Sequence, residues 1–174
     1  MIKKEQTLVL IKPDGVVRHL IGKIISRFED SGLKIIGMKM LWIDDKFARK
    51  HYGPELDTRY ADVEKKYGRN VRNELVKYVK EGPVIAMVLE GPDAVAVTRK
   101  IVGSTYPSSA EPGTIRSDFA HISKDYANAN NVMVRNLIHA SADEKDAKKE
   151  VKLWFKPSEL HSYKTAYDII CLEE

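Results

Sequence analysis

The chain has 174 residues, 43% of them hydrophobic and 31% charged, which is enough for one domain with a real core and a well-solvated surface. No apolar run is long enough to cross a bilayer and no signal peptide opens the sequence. The single cysteine, Cys171, rules out a disulfide within the chain, so the expected home is a reducing cytoplasm. A formal charge of +4 suits anionic small molecules such as nucleotides and is too small and dispersed to argue for duplex DNA.

Thr7 to Ile11 reads as a buried strand that ends at the turn signal Lys12-Pro13-Asp14-Gly15. Leu20, Ile21, Ile24, Ile25 and Phe28 then recur at helical spacing, with Gly32 as the stop. Leu33 to Ile43 is expected to be a second strand, with Ile36, Met38, Met40 and Trp42 alternating on one face. Asp44 should cap a short helix carrying Phe47, His51 and Tyr52. Residues 53–73 are charged and weakly periodic, with one helix expected around Asp62 to Tyr67. Leu75, Val76 and Val79 mark a helix ending at Gly82-Pro83, and Val84 to Leu89 a third strand. Gly91-Pro92-Asp93 opens a helix through Val95, Thr98 and Val102 that Gly103 closes. The two strand-to-helix turns echo each other. Two such units with two further strands predict an α+β, ferredoxin-like βαββαβ domain: a four-stranded antiparallel sheet with helices on one face.

From Ser104 to Asn131 no period is visible, and a loop of that length is usually functional. Beyond it, the short apolar run Leu137-Ile138 carries His139 to a break. Ser141-Ala142-Asp143-Glu144 fits a capping box with Ser141 at the N-cap, followed by a helix with Ala147, Val151 and Trp154 on one face. His139 thus stands before a helix N-terminus, a place that favours bound phosphate, where an imidazole can attack a phosphoryl group. Lys156-Pro157 ends that helix, and the tail 158–174 carries Tyr163, Tyr167 and Ile169-Ile170, which should pack somewhere.

Phosphoryl transfer asks for a nucleophile and for positive charge around the phosphates. Lys12, Arg99, Thr105, Arg116 and Asn136 stand near turns and element ends. Each also has a bland reading: Lys12 solvated, Arg99 favouring a helix dipole, Arg116 paired with Asp118, Asn136 a strand-edge amide. Glu150 lies beside the apolar face of the last long helix and needs a partner there. Ser141 or His139 would serve, and an exposed pair with Lys145 or Lys149 is the alternative.

Taken together, Asn136-Leu137-Ile138-His139-Ala140-Ser141, Ala147, Glu150 and Leu153-Trp154-Phe155-Lys156-Pro157 resemble the signature of nucleoside diphosphate kinases. Thr7–Gly15, Phe28-Glu29, Gly37-Met38-Lys39, His51-Tyr52, Leu75–Tyr78, Gly82-Pro83-Val84, Pro112–Arg116 and Asp118-Phe119 follow in the same order, so the resemblance spans nearly the whole chain. It implies ping-pong transfer of the γ-phosphate of a nucleoside triphosphate, mainly ATP, to a nucleoside diphosphate, maintaining NTP and dNTP pools. The implied intermediate is a phosphohistidine on His139. Lys12, Tyr52, Arg99, Thr105, Arg116 and Asn136 match phosphate- and sugar-binding positions, and Ser141 and Glu150 match the pair that orients the histidine. Mg²⁺ travels with the nucleotide, and the protein itself is expected to hold no metal. The segment around Pro107 matches a loop that joins subunits, which implies a homo-oligomer, a hexamer, without membrane or stable nucleic-acid partners.

The sequence departs from the family pattern in four places. Ala142 stands where Asp is usual. The base-stacking aromatic falls on Tyr60 counting forward from Tyr52 and on Val71 counting back from Leu75; Tyr60 is preferred because stacking needs an aromatic face. Extra residues lie near 61–72 and 120–131. The first stretch, Asp62 to Arg72, is charged and suits a short helix; the second, Ile122 to Asn131, reads as a polar loop. Both would border the base side of the cleft and are expected to pack on each other as a common lip. A regulatory module on the same fold and a nucleic-acid-binding ferredoxin-like domain are the competing classes. The latter needs paired aromatics on a central strand, which the second strand does not supply.

Overall fold

The structure, a computed structural model, describes residues 4–173. Strand β1 (Glu5–Ile11) leads through a one-turn helix α1 (Pro13–Val17) into α2 (Ile21–Glu29) and strand β2 (Lys34–Leu41). Four short helices follow: α3 (Asp45–His51), α4 (Glu55–Arg59), α5 (Ala61–Tyr67) and α6 (Val71–Val79). Strand β3 (Val84–Gly91) and α7 (Ala94–Val102) come next, then α8 (Ile115–Phe119) and α9 (Lys124–Ala129). Strand β4 (Ile138–Ala140), α10 (Glu144–Trp154) and α11 (Ala166–Ile170) complete the described chain. The sheet is antiparallel throughout in the order β2-β3-β1-β4, the ferredoxin-like arrangement.

The central strands are buried on both sides, which is why they read as unbroken apolar runs. Leu8 and Leu10 of β1 face a cluster with Ala86, Val88, Val151, Trp154 and Phe155, while Val9 and Ile11 face one with Ile24, Phe28, Met87 and Val102. Burying each such aliphatic side chain is worth about 1.5–3 kcal/mol. The two helices of the repeated unit, α2 and α7, lie on one face as expected. The other face is covered as well, by α3, α6 and α10.

Three details differ from the sequence reading. A bulge between Ile35 and Gly37 shifts the register of β2 by one residue. Ile36 therefore packs against the α10 side, while Met38 and Met40, paired with Met87 and Ile85, turn to the other side and stay exposed with Trp42. A one-residue slip reverses every later side chain, so the expected single face is split. The region read as an aperiodic loop contains α8, α9 and a 3₁₀ turn at Pro107–Ser109, too short for a helical period to show in sequence. The N-cap of α10 is Asp143, whose carboxylate accepts from Asp146 N at 2.8 Å, and not Ser141. Ser141 comes one residue after β4, still paired to Leu8, and its hydroxyl is used elsewhere.

Candidate active site

The turn after β1 forms the floor of the site. Pro13 presets the first turn of α1, and Asp14, buried beneath it, accepts from Tyr78 Oη at 2.5 Å and from Leu137 N at 3.2 Å. Leu137 has φ +68, a left-handed conformation rare for a branched residue. It is held there by Asp14 and by its own carbonyl, which accepts from Lys12 N at 2.8 Å. Strain of this kind persists where the surroundings over-determine it. Here it redirects the chain just before β4, so that His139 faces a cleft of about 420 Å³.

At the centre of the cleft, His139 Nε2 stands 2.9 and 3.0 Å from the two oxygens of Glu150. Ser141 Oγ donates to the same carboxylate at 2.6 Å and accepts from Leu8 N at 3.3 Å. A carboxylate accepts, so Nε2 carries the proton and Nδ1 keeps its lone pair. Burial opposes ionisation of Glu150, but its electrostatic interaction and hydrogen bond with His139 outweigh it and hold the acid down at about 2. His51 packs edge-on against His139, its ring centroid 4.7 Å away, and its Nδ1 accepts from Trp154 Nε1 at 3.2 Å. Burial pushes His51 down to about 3, so it is a neutral neighbour.

The basic residues converge on the same floor. Lys12 Nζ donates to Asn136 Oδ1 at 2.7 Å, and Asn136 Nδ2 donates to Thr105 O at 2.9 Å. Burial, then the nearby Arg116, lowers Lys12 from 10.5 to about 7, with Asp14 pulling the other way. Arg116 does not pair with Asp118, which binds Arg27 instead. Its guanidinium donates to the carbonyls of Asn136 at 3.2 Å, Gly103 at 2.9 Å and Ile138 at 2.7 Å, and burial followed by Arg99 lowers it to about 10. Arg99, in the last turn of α7, lines the same cleft, as do Tyr52 and Tyr60. The hydroxyl of Tyr52 and Nε2 of His51 are buried without a partner, an arrangement that wants a polar ligand.

Nine of the ten residues singled out from sequence line this cleft: Lys12, Tyr52, Tyr60, Arg99, Thr105, Arg116, Asn136, His139 and Glu150. Ser141, fully buried, sits behind Glu150. Val71, the other candidate for base stacking, lines a small adjoining cavity and not the cleft. Sequence reasoning missed Asp14, Tyr78 and the pairing of His51 with Trp154. Asp14 looked like a turn residue, and nothing local marked it as the brace of a loop 123 residues away. Among the cleft carboxylates, Glu150 is committed to His139 and Ser141, and Glu55 pairs with Lys149 at 3.5 Å.

Comparison with known proteins gives a consistent result. A family model described as nucleoside diphosphate kinase matches residues 5–160. A nucleoside diphosphate kinase of Pyrococcus horikoshii is 47% identical over 168 residues, 97% of this chain and 96% of that protein. That of Borreliella burgdorferi is 44% identical over 160 residues, 92% of each chain. Among solved structures, a transition-state mimic of the Borrelia burgdorferi kinase with bound vanadate and ADP superposes with a TM-score of 0.85 at 42% identity, covering 95% of both chains. A halophilic kinase from Halobacterium salinarum in complex with CDP has a TM-score of 0.76 at 37% identity, with 95% of this chain and 97% of that one covered. The chain belongs to the nucleoside diphosphate kinase family and is an enzyme of that family.

Proposed function

We propose that the enzyme transfers the γ-phosphate of a nucleoside triphosphate, mainly ATP, to a nucleoside diphosphate through a phosphohistidine on His139, and so maintains NTP and dNTP pools. One observation carries this reading: Nε2 of His139 is committed to Glu150, which leaves Nδ1 as the free nucleophilic nitrogen of a histidine that lines one cleft with Lys12, Arg99 and Arg116. In the first half-reaction that lone pair forms an N–P bond to the γ-phosphorus. The bond from phosphorus to the β–γ bridging oxygen breaks, and the leaving diphosphate takes the electron pair. Glu150 balances the positive charge that develops on the ring, and Ser141 keeps the carboxylate in place. In the second half-reaction a terminal oxygen of the acceptor diphosphate attacks the same phosphorus and the Nδ1–P bond breaks, which restores the imidazole. Lys12, Arg99 and Arg116 stabilise charge on the transferred group and its leaving oxygen. Thr105 and Asn136 position phosphate and sugar, the orphaned Tyr52 hydroxyl offers a further donor, and Tyr60 stacks on the base.

The nucleotide arrives as its Mg²⁺ complex. A cleft rich in cations and with its central carboxylate already engaged suits an ion held by the phosphates and not by a protein cage. We further propose one domain with insertions near 61–72 and 120–131, a cytoplasmic location and a homo-oligomer, a hexamer. Among the described residues no helix is long and apolar enough to cross a membrane. The exposed Met38 and Met40 on the edge strand and Trp42 just beyond it offer a surface for a second copy.

Incubation with γ-labelled ATP should leave an acid-labile, base-stable label on the protein, and dTDP should then remove it as dTTP. A label that survives in His139→Ala would overturn the assignment.

A further inference from the structure

The two rims on the base side of the cleft are joined by side chains for which phosphoryl transfer itself has no use. Arg69 follows Gly68, whose φ of +64 ends α5 in the left-handed region. The Arg69 residue is only 6% exposed. All five of its N–H donors are engaged. Nε and Nη2 grip the Glu74 carboxylate, Nη2 also donates to Val132 O at 2.9 Å, and Nη1 donates to Ala127 O at 3.2 Å and Asn128 Oδ1 at 3.0 Å. Three residues on, Arg72 reaches the opposite way: Nε to Tyr52 O at 2.9 Å and Nη1 to Asp57 Oδ2 at 3.0 Å. Between them Asn70 caps α6 by accepting from Asn73 N at 2.8 Å.

One turn, residues 69–72, is therefore fastened on one side to the segment that carries Tyr52 and Tyr60. On the other side it is fastened to residues 127–132, which run straight into Asn136. A cavity of about 70 Å³ is lined by Arg69 and Val71 of this turn and shares Tyr60, Thr105 and Asn136 with the cleft. We propose that residues 69–72 are a strut that sets the spacing of the two nucleotide-binding walls, with Arg69 and Arg72 as positioning residues for the nucleoside part of the substrate. The inference rests on the reading of this cleft as a nucleotide site.

The physical argument is preorganisation. A wall already ordered before binding spares the entropy of ordering it when the nucleotide arrives. Neither arginine lines the cleft that holds His139, so the strut supports ground state and transition state alike. Its loss should raise KM and leave kcat. A planar fork with five directed donors is what the geometry uses, and an ammonium cannot reproduce it.

The test uses the full chain with Arg69→Met and Arg72→Met, which keep the aliphatic stem and remove the fork. ADP affinity is measured by calorimetry, with steady-state rates for ATP and dTDP. We expect the Kd of ADP and the KM of dTDP to rise about tenfold with kcat within about twofold of the parent. Arg69→Lys should behave like Arg69→Met. Unchanged Kd and KM in variants that circular dichroism shows to be folded would overturn the strut. Should those variants unfold, Asn128→Ala removes one far-side bond without unpairing a charge. A rise in ADP Kd there supports the strut, and an unchanged Kd overturns it. If the parent protein binds ADP but transfers no phosphate, the proposed function fails, and the ADP measurements still decide the strut.

Discussion

Lys12 is the residue whose surroundings have the clearest consequence. Its folded pKa, about 7, lies below its ordinary 10.5. Keeping it charged therefore costs folding stability, in full below pH 7 and not at all above 10.5. Nucleotide phosphates would reverse that shift. At about pH 8.5 the free protein holds Lys12 mostly neutral, so ADP binding should take up close to one proton and weaken as the pH rises further. Calorimetry in buffers of different ionisation enthalpy measures the uptake, and Lys12→Gln should abolish it; uptake that persists in that variant assigns the proton elsewhere. The two arginines separate on the same grounds. From sequence both are expected to matter for catalysis and little for stability. Arg116, however, satisfies three backbone carbonyls, so Arg116→Ala should lower Tm as well as rate, at about 1–3 kcal/mol for each buried group left unpaired. No hydrogen bond among the described residues holds the Arg99 guanidinium, so Arg99→Ala should lower kcat by about 10²–10³ with Tm nearly unchanged.

Among the elements, the start of α10 divides two roles that the sequence pattern merged. Asp143 is the cap, and Ser141 donates its hydroxyl to Glu150. Asp143→Ala should cost about 1 kcal/mol of stability and leave turnover alone. Ser141→Ala should lower kcat, because Glu150 then loses a bond that fixes its carboxylate against His139. Thermal melts and steady-state rates on the two variants separate these outcomes, and a Ser141→Ala enzyme with normal kcat would make that hydroxyl merely structural. The β2 bulge acts at the same scale. Gly37 lies where a Cβ would come within 2.9 Å of Leu160, so the strand and the chain leaving α10 are fitted to each other.

For the molecule as a whole, the edge strand β2 is only half covered. The tail runs along its first half, His161 N donating to Ile36 O at 2.7 Å and Tyr163 Oη to Ile35 O at 2.7 Å. Beyond the bulge, Met38, Met40 and Trp42 remain exposed, and an uncovered apolar edge is a surface for association. Light scattering on a sizing column should give an oligomer at micromolar concentration, and Met40→Lys with Trp42→Lys should shift it toward smaller species. A monomeric parent would overturn the oligomer.

The sequence by itself determined the central strands, the helices with an apolar stripe and the set of residues, from Lys12 to Glu150, that the fold gathers in one cleft. Each is written locally, as an unbroken apolar run, a helical period or a motif of fixed spacing. Tertiary structure decided what local pattern does not encode. The second covered face of the sheet depends on which helices meet it. The split of Ile36 from Met38, Met40 and Trp42 depends on one extra residue opposite β3. The cap at Asp143 depends on Ser141 being held by Leu8 and Glu150. Asp14 reads as part of a turn and becomes the brace of a strained Leu137, and Arg69 reads as surface charge and becomes a buried clasp. In each case the partner is distant in sequence, and the hydrogen bond or packing contact exists only once the chain has closed.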